Sequence, residues 1–196
     1  MEPKITGFVN VNAGFIDNAA KDPITIATIG IGAKAEQNGY YAQAEGGIGR
    51  VIYAKVEAGK DIPFGDSKFG LNVAVGGQYT KSTKSQDYYR NIFQDGANSP
   101  IWKANDTRGY GQLALTYNAT AFKASVGIKG GVKSCSQPSL DGITLAPVGE
   151  IVGAEYAGGT TKSYLTPSID IEAGKKVRGT FSLASDCLLF GGKLYF

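Results

Sequence analysis

The strongest constraint on this chain is a period of two. Apolar and polar residues alternate along most of its length in segments of about ten residues, broken by turn chemistry, as half-buried β-strands require. In "ITGFVNVNAGF" one face carries Ile5, Val9, Val11, Ala13 and Phe15, and the other carries Thr6, Asn10, Asn12 and Gly14, with Phe8 as the exception. "TIATIGIGAKAE" sets Ala27, Ile29, Ile31, Ala33 and Ala35 against Thr28, Lys34 and Glu36. Its recurring threonines and glycines argue against a helix. The clearest segment is "FKASVGIKGGVK", where Phe122, Ala124, Val126, Ile128 and Val132 alternate with Lys123, Ser125, Lys129 and Lys133. Asn38-Gly39 is a type I′ hairpin signal. Short connections also fall at "NAT" and "GKK".

The pattern predicts an all-β chain in a single domain, 1–196, with about ten strands. They fall near 4–16, 24–36, 40–47, 50–60, 69–80, 107–117, 121–133, 161–173, 177–185 and 187–196. Eight or twelve stay open, because 39–60 and 148–157 divide in two ways. "GGIGR" (46–50) is read as a turn, since a strand of about twenty residues would be long. Pro167 suggests a bulge or a strand start.

Composition removes whole classes of function. Histidine is absent, which excludes Ser-His-Asp and Cys-His nucleophilic machinery and histidine-ligated metal. Two cysteines, Cys135 and Cys187, cannot build a thiolate zinc site. No catalytic residue, metal or cofactor is therefore expected. A net charge of +3 is too small and too dispersed to argue for nucleic acid. No stretch approaches the roughly 18 apolar residues of a membrane helix. "MEPKITGFVN" has neither the basic start nor the apolar core of a signal peptide. Met1, the only methionine, fits a start codon added to a processed mature chain, and equally a true cytoplasmic start.

Alternation alone does not say which face is inside. A soluble barrel packs its apolar face inward, whereas a transmembrane barrel turns it to lipid around a polar interior. Three features favour the second. Glycines 14, 30, 32, 47, 76, 127 and 131 share the polar face with Lys34, Glu36, Glu45, Lys55, Glu57, Lys123 and Lys129, a mixture that suits a narrow interior. Aromatics recur near segment ends (Phe15, Tyr40, Phe69, Tyr79, Tyr117, Phe122 and Tyr195), where girdles at two bilayer interfaces would put them. Connections are short at one set of ends and long, 81–106 and 134–160, at the other.

The closing stretch "LLFGGKLYF" resembles the C-terminal signature of bacterial outer-membrane β-barrel proteins. In that signature a glycine stands five residues before the end, an apolar residue two before it and an aromatic at the terminus. Gly191, Leu194 and Phe196 occupy those places. Leu189 departs from it, since the family favours a polar residue there. The resemblance implies an antiparallel up-and-down transmembrane β-barrel in the outer membrane of a Gram-negative bacterium. It also implies a terminal strand that the barrel-assembly machinery recognises and that closes against strand one. Leu188, Phe190, Leu194 and Phe196 would then face lipid, with Lys193 inside.

Within that frame Lys55, Glu57, Lys123, Lys129, Asp170 and Glu172 are expected to point into the lumen as a mixed-sign network. The pair Asp170 and Glu172 reads as interior salt-bridging rather than as a catalytic dyad. Lys123, Lys129 and Lys133 either line an anion-selective pore or pair with Glu45, Glu57 and Glu172 and plug it. Cys135 and Cys187 both fall at the long-loop end, where an oxidising compartment would let them form a disulfide. "GIGAKA" and "GGIGR" lack the GK[ST] ending and the helix of a phosphate loop. "NDT" and "NAT" match the N-glycosylation pattern, which carries little in a bacterial setting.

Stretch 81–106, at about 26 residues, exceeds the usual length of a structureless loop. Tyr88, Tyr89, Arg90, Phe93 and Trp102 make it a candidate for binding a surface protein or ligand, or for capping the lumen. The function expected is a non-enzymatic scaffold presenting loops for adhesion or partner binding, or a narrow, porin-like leak. The alternatives are a soluble β-barrel holding an apolar ligand and a β-rich structural subunit of a larger assembly.

Overall fold

Each alternating segment becomes a strand, because two residues per repeat put every apolar side chain of a segment on one face of a pleated ribbon. The computed structural model describes residues 2–19, 23–83, 105–135 and 160–196. Ten strands follow in order: β1 (Lys4–Asp17), β2 (Pro23–Gln37), β3 (Tyr40–Gly49), β4 (Val51–Pro63), β5 (Phe69–Ser82), β6 (Asn105–Ala119), β7 (Phe122–Cys135), β8 (Thr160–Gly174), β9 (Val177–Ala184) and β10 (Cys187–Tyr195). Every neighbouring pair is antiparallel, and β10 pairs back onto β1, so the sheet is a closed up-and-down barrel without a free edge.

The registers run without a bulge. Followed once around the wall, they return to β1 displaced by about 14 residues, a shear that tilts the strands by about 45°. The turn within "GGIGR" is tight, with Arg50 alone between β3 and β4. Pro167 causes no bulge. It pairs with Ile128 and lies one residue beyond the β8–β9 ladder, which begins at Ser168. A proline there removes no hydrogen bond from β9. The ambiguous stretch 148–157 lies outside the described residues.

Which face is outside is now plain. Ile31, Val75 and Leu165 point outward and are 69%, 64% and 77% exposed. Inward positions of the same strands carry Gly30, Asn72, Thr166 and Ser168. The lower girdle, at the short-turn end, includes Phe69, Tyr117 and Phe122, with ring centroids 5.1 and 6.1 Å apart. Phe15 and Tyr79 face outward toward the loop end. Tyr195 departs from the expected girdle: its inward position puts the ring 5.7 Å from that of Phe8, and its hydroxyl donates to Glu172 at 2.5 Å. Phe8, the exception to the alternation, is buried inside. The apolar packing that does lie within the barrel is a small cluster of Ile16, Ile24, Ile26 and Val51 toward the loop end.

At the seam, β10 reads Leu188, Phe190, Leu194 and Phe196 outward. Phe196 extends the ladder past the last strand residue: its N–H donates to the Gly7 carbonyl at 3.0 Å, and the Gly7 N–H returns a bond at 3.1 Å. The Phe196 ring covers Gly7 so closely that a Cβ there would have to push the ring aside.

The β2–β3 hairpin depends on backbone conformation as much as on pairing. Asn38 and Gly39 both sit at positive φ, 53° and 80°, the type I′ geometry that matches strand twist. Gly39→Val forces a β-branched residue into that region. It should lower the unfolding free energy by about 1–3 kcal/mol, measured by urea unfolding in lipid vesicles, with the barrel still closed.

Candidate functional site: the lumen and its loop-end closure

The inward rows of ten strands converge on one interior, so residues far apart in sequence become partners. Large rings fit because glycines on adjacent strands leave space. A Cβ at Gly30 or Gly47 would run into Tyr53, and one at Gly76 into Tyr110.

At the short-turn end, Lys123 of β7 reaches Asp61 of β4 at 3.6 Å, bridging over β5 and β6. Asn72 donates to the other Asp61 carboxylate oxygen at 2.8 Å. Glu172 accepts from Arg178 at 3.1 Å as well as from Tyr195. Halfway up, Glu57 is the hub. It accepts from Tyr110 at 2.6 Å and Tyr41 at 2.9 Å, and Lys55 lies 3.4 Å away. Lys129 lies over the Tyr110 ring, 4.7 Å from its centroid. Asp170 accepts from Ser182 at 2.6 Å. Asn10 and Tyr53 hydrogen-bond each other, and Asn10 also reaches Glu45 at 3.3 Å.

Lys55, Glu57, Lys123, Lys129, Asp170 and Glu172 thus all border the lumen, but the pairing suggested for Lys123 with Glu45, Glu57 or Glu172 is not the one that forms. Lys123 pairs with Asp61, a residue that alternation alone does not single out. Glu172 takes an arginine and a tyrosine.

The loop end carries the most buried group of charges. Arg108 on β6 and Lys133 on β7 are each 9% exposed, and both cross the lumen to the opposite wall. Asp186, in the β9–β10 turn, accepts from Arg108 at 3.0 Å and from Lys133 at 2.9 Å. The Asp17 carbonyl at the end of β1 accepts from the same two side chains, at 2.6 and 3.3 Å. Asp106 holds the Arg108 Nε from the near side. Two cations on one wall are therefore tied to two acceptors on the other. The lumen below is divided into cavities of about 190 and 210 Å³, one toward each end. Sequence reading named Lys133 as lining a pore or pairing with Glu45, Glu57 or Glu172, and it missed Asp106, Arg108 and Asp186. The signal available was only their inward parity at strand ends.

Cys135 and Cys187 are not bridged to each other. They occupy β7 and β10, with β8 and β9 between them. Three strand spacings of about 4.8 Å already exceed the roughly 7 Å Cα limit of a disulfide. The expected disulfide is thereby corrected. The loop candidates Tyr88, Tyr89, Arg90, Phe93 and Trp102 lie outside the described residues.

Burial alone would raise the pKa of the Asp186 carboxyl. The hydrogen bond from Lys133 and the charge of Arg108 outweigh it and hold the group below 3.8. A carboxylate so depressed adds stability above its ordinary pKa and loses it as pH falls through the lower folded value. Asp186→Asn leaves the buried Lys133 without a carboxylate partner, and Arg108 with Asp106 alone, among the described residues, so it should destabilise the barrel by about 3–5 kcal/mol at pH 7. The difference from wild type should shrink below about pH 4, as read from heat-unfolding midpoints in detergent across that range.

No family model matches the chain, and no curated protein does. Among solved structures it is similar to the P. putida toluene transporter TodX, a crystal structure, at 8% identity and a TM-score of 0.35. That likeness covers 97% of this chain and 66% of the transporter's, so the chain spans just under two thirds of its neighbour's length.

Proposed function

We propose that the chain is a non-enzymatic outer-membrane barrel of a Gram-negative bacterium, a largely closed scaffold that presents its long loops for adhesion or partner binding. The observation that carries this reading is the inverted polarity of the wall. Away from the strand ends the outward rows carry no charge and are dominated by apolar side chains, while the charges and amides of those levels face in. In water such a wall would leave an exposed apolar surface far larger than the few hundred Å² a soluble monomer tolerates. In a bilayer it is the lipid-facing band that a spanning strand needs.

Scaffold is favoured over pore by the contents of the lumen. Ten strands enclose a narrow interior. The Lys123–Asp61 bridge and the Arg108, Lys133 and Asp186 group obstruct it at two levels. A leak for ions is the most a pore reading retains. Presentation falls to the part of stretch 81–106 that connects β5 to β6 at the long-loop end, residues 83–104. Its aromatics and arginine, Tyr88, Tyr89, Arg90, Phe93 and Trp102, are the residue types that binding hot spots concentrate. For biogenesis, Gly191, Leu194 and Phe196 supply the terminal-strand signal to the assembly machinery. That reading is supported by the outward position of Leu194 and Phe196 at the closing seam.

The folded chain should require detergent and run faster on a gel before boiling than after. A chain monodisperse in plain buffer would instead favour the soluble barrel or the assembly subunit. Replacing 85–103 by a short Gly-Ser link should preserve that heat shift while removing partner binding. Loss of folding would make the stretch structural and sink the recognition role. Phe196→Ser should lower the amount of folded barrel in the outer-membrane fraction severalfold; wild-type levels would speak against the assembly signal.

A further inference from the structure

The outer wall is not evenly ridged. Along β2 to β4 the register sets outward alanines in two adjacent rows, Ala33 beside Ala44, and Ala35 beside Ala42 and Ala58. They floor an open groove of about 670 Å³ that begins at Ile5 on β1 and ends at Val75 on β5. Crossing five strands makes it about 20 Å long. With strands tilted by about 45° it climbs about 14 Å, close to the roughly 15 Å of hydrocarbon in one leaflet.

Directly below Ala42 and Ala58, midway along the groove, Tyr40 and Lys60 stand opposite each other on β3 and β4 and face outward. The Lys60 ammonium donates to the Tyr40 hydroxyl at 3.0 Å and lies 4.4 Å from the centre of its ring. No ion pair engages Lys60 among the described residues. A lysine and a phenol at the level of the lower girdle present one positive charge and two kinds of donor at headgroup depth.

We infer that this groove binds one acyl chain of a glycerophospholipid from the leaflet on the short-turn side, with the lipid phosphate held by Lys60 and Tyr40. The inference rests on the membrane reading above. A second copy of the chain fits less well. Two identical grooves meeting across a two-fold axis would leave a void, whereas a slender, flexible methylene chain fills such a channel.

The test is native mass spectrometry of the full chain in detergent doped with phosphatidylglycerol. One lipid adduct is expected on the wild type. Its occupancy should fall about fivefold in Lys60→Gln, which removes one interfacial charge. It should disappear in Ala44→Leu, which fills the floor, while the heat shift survives in both. Should Ala44→Leu not fold, Lys60→Gln decides alone. A heat-shiftable, detergent-dependent barrel whose adduct is unmoved by these variants would overturn the lipid site alone. So would a dimer that Ala44→Leu dissociates. A chain monodisperse without detergent would overturn the membrane reading and the site with it.

Discussion

The β1–β10 ladder is the interaction on which everything else rests. In hydrocarbon no water can take up an unpaired backbone N–H or C=O, and each such group carries a penalty of several kcal/mol. An open ten-stranded sheet would have two edges of such groups. Pairing Phe8 through Ile16 with Cys187 through Tyr195 removes both at once. Phe196 adds a further reciprocal pair with Gly7 and lays its ring over the bare backbone there. The seam is thus the ladder that converts a sheet into a wall.

Closure then dictates the interior. Once the apolar faces are turned outward, every polar side chain of the opposite parity is confined to a narrow space, where an isolated charge is costly and a paired one is tolerated. The chain meets this with a near balance of signs and with tyrosines as well as carboxylates: Glu57 is held by two phenols and a lysine, and Glu172 by a phenol and an arginine. Glycines on adjacent strands make room for the rings. At the loop end the same rule produces a closure, because Lys133 finds its acceptors on the far wall and Arg108, already held by Asp106 on its own strand, finds two more there.

The apolar exterior, in turn, is shaped by what bulk it lacks. Alanines are short enough to leave a channel between ridges of isoleucine and valine, and Tyr40 and Lys60 put a polar foot beside it.

Much of this was legible in the residues alone. Strict alternation located the strands to within a few positions, because parity is a local property of an extended chain. It also assigned Lys55, Glu57, Lys123, Lys129, Asp170 and Glu172 to one face. Asn38-Gly39 marked its hairpin through a backbone requirement that only a few residue types meet. Partnership was not legible. Lys123 with Asp61, Arg108 with Asp186, and the separation of Cys135 from Cys187 depend on strand number, shear and tilt, which fix which walls oppose each other. Tyr195 shows the same limit: a girdle was the local expectation, and the ring packs inside against Phe8. The sequence by itself determined the strands and their two faces, since these follow from a repeat of two residues. Only the closed barrel decided which inward groups meet, since that is a long-range consequence of where β10 finds β1.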